Sequence, residues 1–280
     1  MPSLTTDQIQ LVRQTVDHAL DEAAKVTLPK FRQPIEIDNK AEKGFDPVTI
    51  ADQEAEQVLR NALMAALPSA AFLGEENSVA IEPCDQRSHL GICPTIQSGL
   101  TWVVDPIDGT RAFITGMPLW GTLVALNDGD AVLLGAFDQP WIGERFVGYG
   151  DQAERVYQGS TTLLRTRAAR PIGECIVQTT TPDMFDDSQS LESFDRVRQQ
   201  VSMTRYGGDC YAYALLAMGG IDAVVESSLQ PYDIQALIPI VEGAGGVITN
   251  WIGEPCLSGG NVIAAANAFV HDTLLETLNR

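Results

Sequence analysis

Apolar residues recur along this chain with two periods, one helical and one of strand type, and the switches between them mark its elements. Ile9, Val12, Val16, Ala19, Leu20 and Ala23 lie at helical spacing. Thr5-Thr6-Asp7-Gln8 ahead of them has the form of a capping box, and Pro29 closes the segment, so a helix is expected between. Ile35 to Lys43 reads as a short strand and turn carrying Lys40 and Lys43. Asp46-Pro47-Val48-Thr49 then breaks the chain, and a second helix is expected from about Ile50 to Leu67, stopped by Pro68, with Asp52 in its first turn. Ala70 to Leu73 and Leu100 to Val104 are short apolar runs of strand type. Each runs into acid: Gly74-Glu75-Glu76 follows the first and Asp105 the second. Pro106 lacks the N–H that a ladder needs, so the second strand is expected to stop there. Gly121 to Leu126, the turn Asn127-Asp128-Gly129-Asp130, and Ala131 to Phe137 read as a β-hairpin, with a third strand near Glu144 to Tyr149.

Beyond about Gly150 the pattern changes to alternating strands and helices. Strands are expected at Cys175 to Thr180, Met203 to Tyr206, Ile221 to Glu226, Val247 to Thr249 and Val262 to Ala265. Helices are expected at Leu191 to Gln200, Asp209 to Met218, Tyr232 to Glu242 and Ala268 to Leu278. The chain therefore divides into an α+β half, residues 1–150, and a layered α/β half, residues 151–280, that completes whatever site the first half begins. Gly243-Ala244-Gly245-Gly246 follows a helix and lacks a G-x-G-x-x-G pattern after a strand, so it reads as a helix end and not as a nucleotide loop.

With 280 residues, 45% of them hydrophobic, the chain can bury a large core. Its formal charge of −19, from 37 acids against 18 bases, argues against a nucleic-acid groove and an anionic membrane surface. An anionic substrate would need local positive charge. The five cysteines, Cys84, Cys93, Cys175, Cys210 and Cys256, are odd in number and lack C-x-x-C spacing, so reduced thiols and a cytoplasmic setting are expected. His89 between Cys84 and Cys93 fits no zinc spacing, and His18 reads as an ordinary helix residue. No targeting segment or membrane span is legible.

The candidate chemistry centres on Asp105-Pro106-Ile107-Asp108-Gly109-Thr110. A strand delivers the first carboxylate, the turn brings back the second, and the N–H groups of Gly109 and Thr110 follow at a helix start. Paired acids beside amide donors repel each other unless divalent cations bridge them to a phosphate. The same string is also ordinary turn chemistry, so the stretch alone leaves both readings open. Asp128-Gly129-Asp130 has a D-x-D form that a solvated turn explains. Asp52 and Asp209 each also have an ordinary reading, as helix-terminus residues.

Gly74-Glu75-Glu76, Asp105-Pro106-Ile107-Asp108-Gly109-Thr110 and Tyr232-Asp233, taken together and in this order, resemble the inositol monophosphatase superfamily. The resemblance implies a layered α-β-α-β-α sandwich and Mg²⁺-dependent hydrolysis of a phosphomonoester, with two to three Mg²⁺ ions per site. It implies that Glu75, Asp105 and the Ile107 carbonyl hold one ion, that Asp105, Asp108 and Asp233 hold a second, and that Glu75 helps place a third. It further implies that Asp52 and Thr110 act on the attacking water, that the Gly109 and Thr110 amides steady the phosphate, and that the protein is a homodimer. Phe113-Ile114-Thr115-Gly116-Met117-Pro118-Leu119-Trp120-Gly121-Thr122, Gly208-Asp209-Cys210-Tyr211-Ala212-Tyr213 and Pro231-Tyr232-Asp233 resemble the histidinol-phosphate phosphatase branch. That branch implies Asp209 and Glu226 as partners of a substrate ammonium. Its rivals are an inositol-1-phosphate or broad small-ester phosphatase, a haloacid-dehalogenase phosphatase with an aspartyl nucleophile, and a catalytically silent metal-binding module. The x-x spacing between Asp105 and Asp108 departs from the D-x-D of the haloacid-dehalogenase type. The loop from Glu82 to Gly99 is longer than the branch usually has.

Overall fold

A computed structural model describes residues 4–39, 47–76 and 99–280. Lys40, Lys43, Asp46 and the stretch holding Cys84, His89 and Cys93 lie outside the described residues. Helix α1 (Thr6–Thr27) opens on the expected capping box, the Gln8 N–H donating to Thr5 Oγ1 and the Thr5 N–H to Gln8 Oε1. A short antiparallel pair, β1 (Ile37–Asn39) and β2 (Pro47–Thr49), leads into α2 (Ile50–Ala66). Then come β3 (Ala71–Gly74), β4 (Thr101–Asp108), the short helix α3 (Thr110–Thr115), β5 (Gly121–Asn127), β6 (Val132–Gln139), β7 (Glu144–Tyr149), β8 (Gln152–Tyr157) and β9 (Ser160–Leu163). These strands, from β3 to β9 in order, form one seven-stranded sheet, antiparallel but for the parallel β3–β4 pair.

The second half supplies β10 (Ile176–Thr179), α4 (Ser188–Arg198), β11 (Met203–Tyr206), α5 (Cys210–Ala217), β12 (Ala223–Leu229), α6 (Pro231–Ile234), α7 (Ile238–Gly243), β13 (Val247–Asn250), β14 (Gly260–Ala265) and α8 (Ala268–Leu278). Its strands make a five-stranded mixed sheet in the order β11-β10-β12-β14-β13.

The alternation of side chains along each strand builds the layers. Trp102 and Val104 of β4, with Val124 and Leu126 of β5, pack under α1 and α2 against Val12, Val16, Leu20, Leu59 and Leu63. Val103, Leu123 and Ala125, between them, face the other way onto α5 and α7, where Ala212, Leu216, Ile240 and Val241 lie. Val224, Val262 and Ala264 of the five-stranded sheet close that same layer from beyond. Val225, Ile263 and Ala265 point to the far face, under Phe194 and Val197 of α4 and Val270 and Leu274 of α8. The order is helix, sheet, helix, sheet, helix, the α-β-α-β-α sandwich that the resemblance implies. Arg145 of β7 ties α1 to the first sheet, its three nitrogens donating to Asp138 at 2.9 Å, Asp17 at 3.0 Å and Asp21 at 2.8 Å.

Four features differ from expectation, the first being β2, a strand over Pro47–Thr49 where the sequence pattern shows only a break. β4 does not stop at Pro106; its pairing with β5 resumes at Asp108 opposite Gly121 after a register shift. The seven-stranded sheet runs on past residue 150 through β8 and β9. The helix expected over Tyr232 to Glu242 is two short ones, because Pro239 fits the first turn of a new helix and cannot continue the old. Among the described residues, no helix is long and apolar enough to cross a membrane, and Cys175, Cys210 and Cys256 are free thiols.

Candidate active site

β4 carries two of the acids, and its bulge explains how. Residues three apart on a regular strand point to opposite faces. Between Asp105, opposite Leu123, and Asp108, opposite Gly121, β4 holds one residue more than β5. That extra residue resets the alternation and brings both carboxylates to one side. Pro106 is tolerated because it sits in the bulge, where its carbonyl accepts from Thr122 Oγ1 at 2.9 Å.

Asp233 arrives from the first turn of α6. Oxygens of Asp105, Asp108 and Asp233 all lie within 4.8 Å of one another. A backbone N–H fixes each acid: Ile107 donates to Asp105 Oδ1 at 3.0 Å, Cys210 to Asp108 Oδ2 at 2.7 Å, and Gln230 to Asp233 Oδ2 at 2.7 Å. Glu75, at the end of β3, stands close enough to Asp105 to hydrogen-bond its carboxyl.

Burial and mutual repulsion make this a site that wants positive charge. Burial above all, then the charges of Glu75, Asp108 and Asp233, push the Asp105 carboxyl well above the carboxylate range. Burial, with Asp209 and Asp233 beside it, does the same to Asp108. Burial pushes Asp233 up to about 7, with Glu75 and Glu226 adding to the rise. Without cations these acids must share protons; oxygen donors held this close are the donor set of a hard divalent ion, and the residues present fit one.

Asp52 sits beside the cluster at the start of α2, fully buried. Its Oδ2 accepts from both the Thr49 N–H at 2.8 Å and Thr49 Oγ1 at 2.6 Å, and its Oδ1 faces the Thr110 hydroxyl at 3.4 Å. Burial pushes its carboxyl up to about 6 against the lowering by Thr49. The Thr110 hydroxyl also lies 3.1 Å from the Ile107 carbonyl, so the expected catalytic pair and the expected carbonyl ligand are neighbours. Gly109, at φ +80, turns the chain from β4 into α3 in a left-handed conformation that favours glycine.

Asp209 occupies the N-cap position of α5, yet its side chain makes no cap bond. Its backbone sits at φ 45, ψ −146, a region that side-chain-bearing residues seldom enter. The strain turns the side chain over Gly109, where a Cβ would stand 3.1 Å from that of Asp209. Burial pushes Asp209 up to about 6, the Glu226 charge adding to the rise and Arg111 opposing it. Glu226 on β12 is buried and held by three donors: the Thr180 N–H at 3.1 Å, Thr180 Oγ1 at 2.6 Å and the Tyr213 hydroxyl at 2.8 Å.

The structure thus brings together Asp52, Glu75, Asp105, Ile107, Asp108, Gly109, Thr110, Asp209, Glu226 and Asp233. Sequence reasoning missed Thr49, which grips Asp52, and the Cys210 and Gln230 amides. Thr49-x-x-Asp52 is a capping pattern with Asp in the place of Glu, a signal that was available. The amides leave no signal, since nearly any residue supplies an N–H.

Comparison with known proteins agrees with this geometry. A model of the inositol monophosphatase family matches residues 8–280. The chain is 38% identical to the chloroplastic bifunctional phosphatase IMPL2 of Arabidopsis thaliana, over 94% of this chain and 74% of that one. It is 31% identical to a histidinol-phosphatase of Chlorobaculum parvum, over 92% of this chain and 93% of the relative. Among solved structures, an inositol monophosphatase from Zymomonas mobilis superposes with a TM-score of 0.81 at 35% identity, covering 99% of this chain and 100% of that one.

Proposed function

The chain belongs to the inositol monophosphatase family and is a phosphoric monoester hydrolase, and we propose that its substrate is L-histidinol phosphate, hydrolysed with Mg²⁺. What carries the proposal is the Asp209 side chain, uncapped and turned over Gly109 within electrostatic reach of the buried Glu226. Histidinol phosphate carries an ammonium beside its phosphate ester; inositol phosphate carries only hydroxyls there. Two acids facing the non-phosphate part of a substrate favour the cationic one. The likeness to a protein named a histidinol-phosphatase supports the same reading.

In this reading Glu75, Asp105, the Ile107 carbonyl, Asp108 and Asp233 hold two to three Mg²⁺ ions, which suit oxygen-only donors. When bound, the ions neutralise phosphate charge and make a nearby water more acidic. Thr110 Oγ1, set between Asp52 and the Ile107 carbonyl, takes the proton of the attacking water and passes its own to Asp52 Oδ1. A carboxyl near 6 is suited to receive it at neutral pH. The water oxygen bonds to phosphorus as the ester P–O bond breaks, the leaving alkoxide takes a proton from solvent water to give histidinol, and Asp52 returns its proton to solvent. The Gly109 and Thr110 amides hold the phosphate oxygens as charge moves onto them. Asp209 orients the ammonium, and Glu226, fixed by Thr180 and Tyr213, adds charge behind it.

The likeness to the Zymomonas mobilis enzyme favours a second reading, inositol 1-phosphate as substrate. Phosphate release from both esters, with and without Mg²⁺, separates the two. Faster turnover of histidinol phosphate, dependent on Mg²⁺, is expected; faster turnover of inositol 1-phosphate overturns the assignment. A phosphoaspartate trapped during turnover would point instead to an aspartyl nucleophile, and no release from a broad ester panel to a silent module.

A further inference from the structure

A buried carboxylate that takes no part in the chemistry above stands behind the turn that presents Glu75. Glu56 lies on α2, four residues after Asp52 and four before Arg60, so the three share one helix face. Its side chain is wholly buried, and its Oε2 accepts the Glu76 backbone N–H at 2.7 Å. The Arg60 guanidinium stands behind it, 3.7 Å from Oε1 and 4.4 Å from the ring centre of Phe72 on β3.

The space this carboxylate fills is kept by a glycine. A Cβ on Gly74 would stand 2.3 Å from Glu56 Oε2, an impossible contact. The Glu75 N–H, meanwhile, donates to the Val104 carbonyl of β4 at 3.2 Å. The backbone is therefore pinned on both sides of Glu75, to β4 by its own N–H and to α2 by that of Glu76. The same helix face that brings Asp52 to Thr110 brings Glu56 to this turn.

We propose that Glu56 is a positioning residue: with Gly74 it fixes the Glu75–Glu76 turn and so sets where Glu75 meets the cation site. The inference rests on the metal-dependent reading above. A residue that only filled core volume would be replaceable by anything of its size and would leave cation affinity alone.

The test uses the full chain, with Mn²⁺ as a spectroscopic probe of cation binding and hydrogen exchange at the Glu76 amide measured without metal. Glu56→Ala is expected to lose the protection of that amide and to weaken Mn²⁺ binding by about 10- to 100-fold, the usual scale for removing a group that orients a ligand. Glu56→Gln keeps an oxygen for the amide and is expected to restore most of both. Gly74→Ala, which forces the carboxylate aside, should reproduce the loss, and should cost less when combined with Glu56→Ala, which empties the space. Mn²⁺ binding by Glu56→Ala equal to wild type overturns the inference, as does a Glu56→Gln variant no better than Ala. Should Glu56→Ala fail to fold, Gly74→Ala with unchanged Mn²⁺ affinity overturns it equally. Absence of Mn²⁺ binding by the wild-type chain is a different result: it sinks the metal-dependent reading and this inference together.

Discussion

The seven-stranded and five-stranded sheets reach the acid cluster by different means. From the first, Asp105 and Asp108 project out of a buried strand, laddered to β5 on either side of a bulge. From the second, Asp233 and Asp209 come from the starts of helices, one in a four-residue turn and the other on a strained backbone. A ladder holds its side chains through many neighbours, whereas a helix start depends on a few local bonds. On the proposed reading the contrast has a purpose. The first sheet's ladder carries only groups that any phosphate ester requires, whereas of the second half's acids Asp233 serves any ester and Asp209, with Glu226 on β12, tells one ester from another.

The largest effect should come from the ladder side. Asp105→Asn is expected to lower phosphate release by about 10³-fold, the scale of losing a preorganised electrostatic partner, and equally for both esters. A loss confined to one ester would break the division. Thr110→Val should follow, costing about 10²-fold in kcat through the lost proton relay, again for both esters, as single-turnover phosphate release would record. Asp209→Asn should act on the other side: kcat/KM for histidinol phosphate falls by about 10- to 100-fold, a charge-assisted hydrogen bond's worth, while inositol 1-phosphate is little affected. Equal losses would mean that Asp209 supports the site as a whole.

The smallest effect is one of pH. Asp52 and Asp209 near 6 and Asp233 near 7 all lie above their ordinary value of 3.8. Between those limits the folded, metal-free protein keeps protons that the unfolded chain has lost, so its stability falls as pH rises. The contribution of these three groups is full below about 4 and declines until about 7, to be read as a falling Tm on calorimetry of the metal-free protein. Mg²⁺ should reverse most of the loss at the alkaline end and little of it at pH 4, because protons and cations compete for the same oxygens. A metal-free Tm that climbs from pH 4 to 7 would contradict the crowding of acids on which the comparison rests.

Much of this was legible in the residues. Thr5 and Gln8 announce α1, and the alternation through Gly121 to Tyr149 announces the meander. Glu75 and Asp105 follow recognisable apolar strand runs. β8 and β9 went unseen because they are polar: β9 is exposed at every position, so no apolar signal marks it. The bulge at Pro106 went unseen because a proline stops a regular ladder and the sequence does not say that the ladder is irregular there. Pro239 did carry the news that the helix beginning at Tyr232 breaks, and helical spacing across it concealed the fact. What no sequence pattern conveys is the backbone grip on each acid, since the donors at Ile107, Cys210 and Gln230 are main-chain groups.

Asp105 and Asp108 sit in the middle of the chain, and Asp233 arrives only after the second sheet's central strand has been laid down. The cluster therefore needs both halves of the chain: a partly synthesised chain ending before Tyr232 owns two corners of the triangle and nothing to close it. An ion captured at that triangle bolts together two layers from remote stretches of polypeptide. On the metal-dependent reading, filling that triangle would thus also tie the two halves of the chain together, which a molecule lacking Asp233 cannot do.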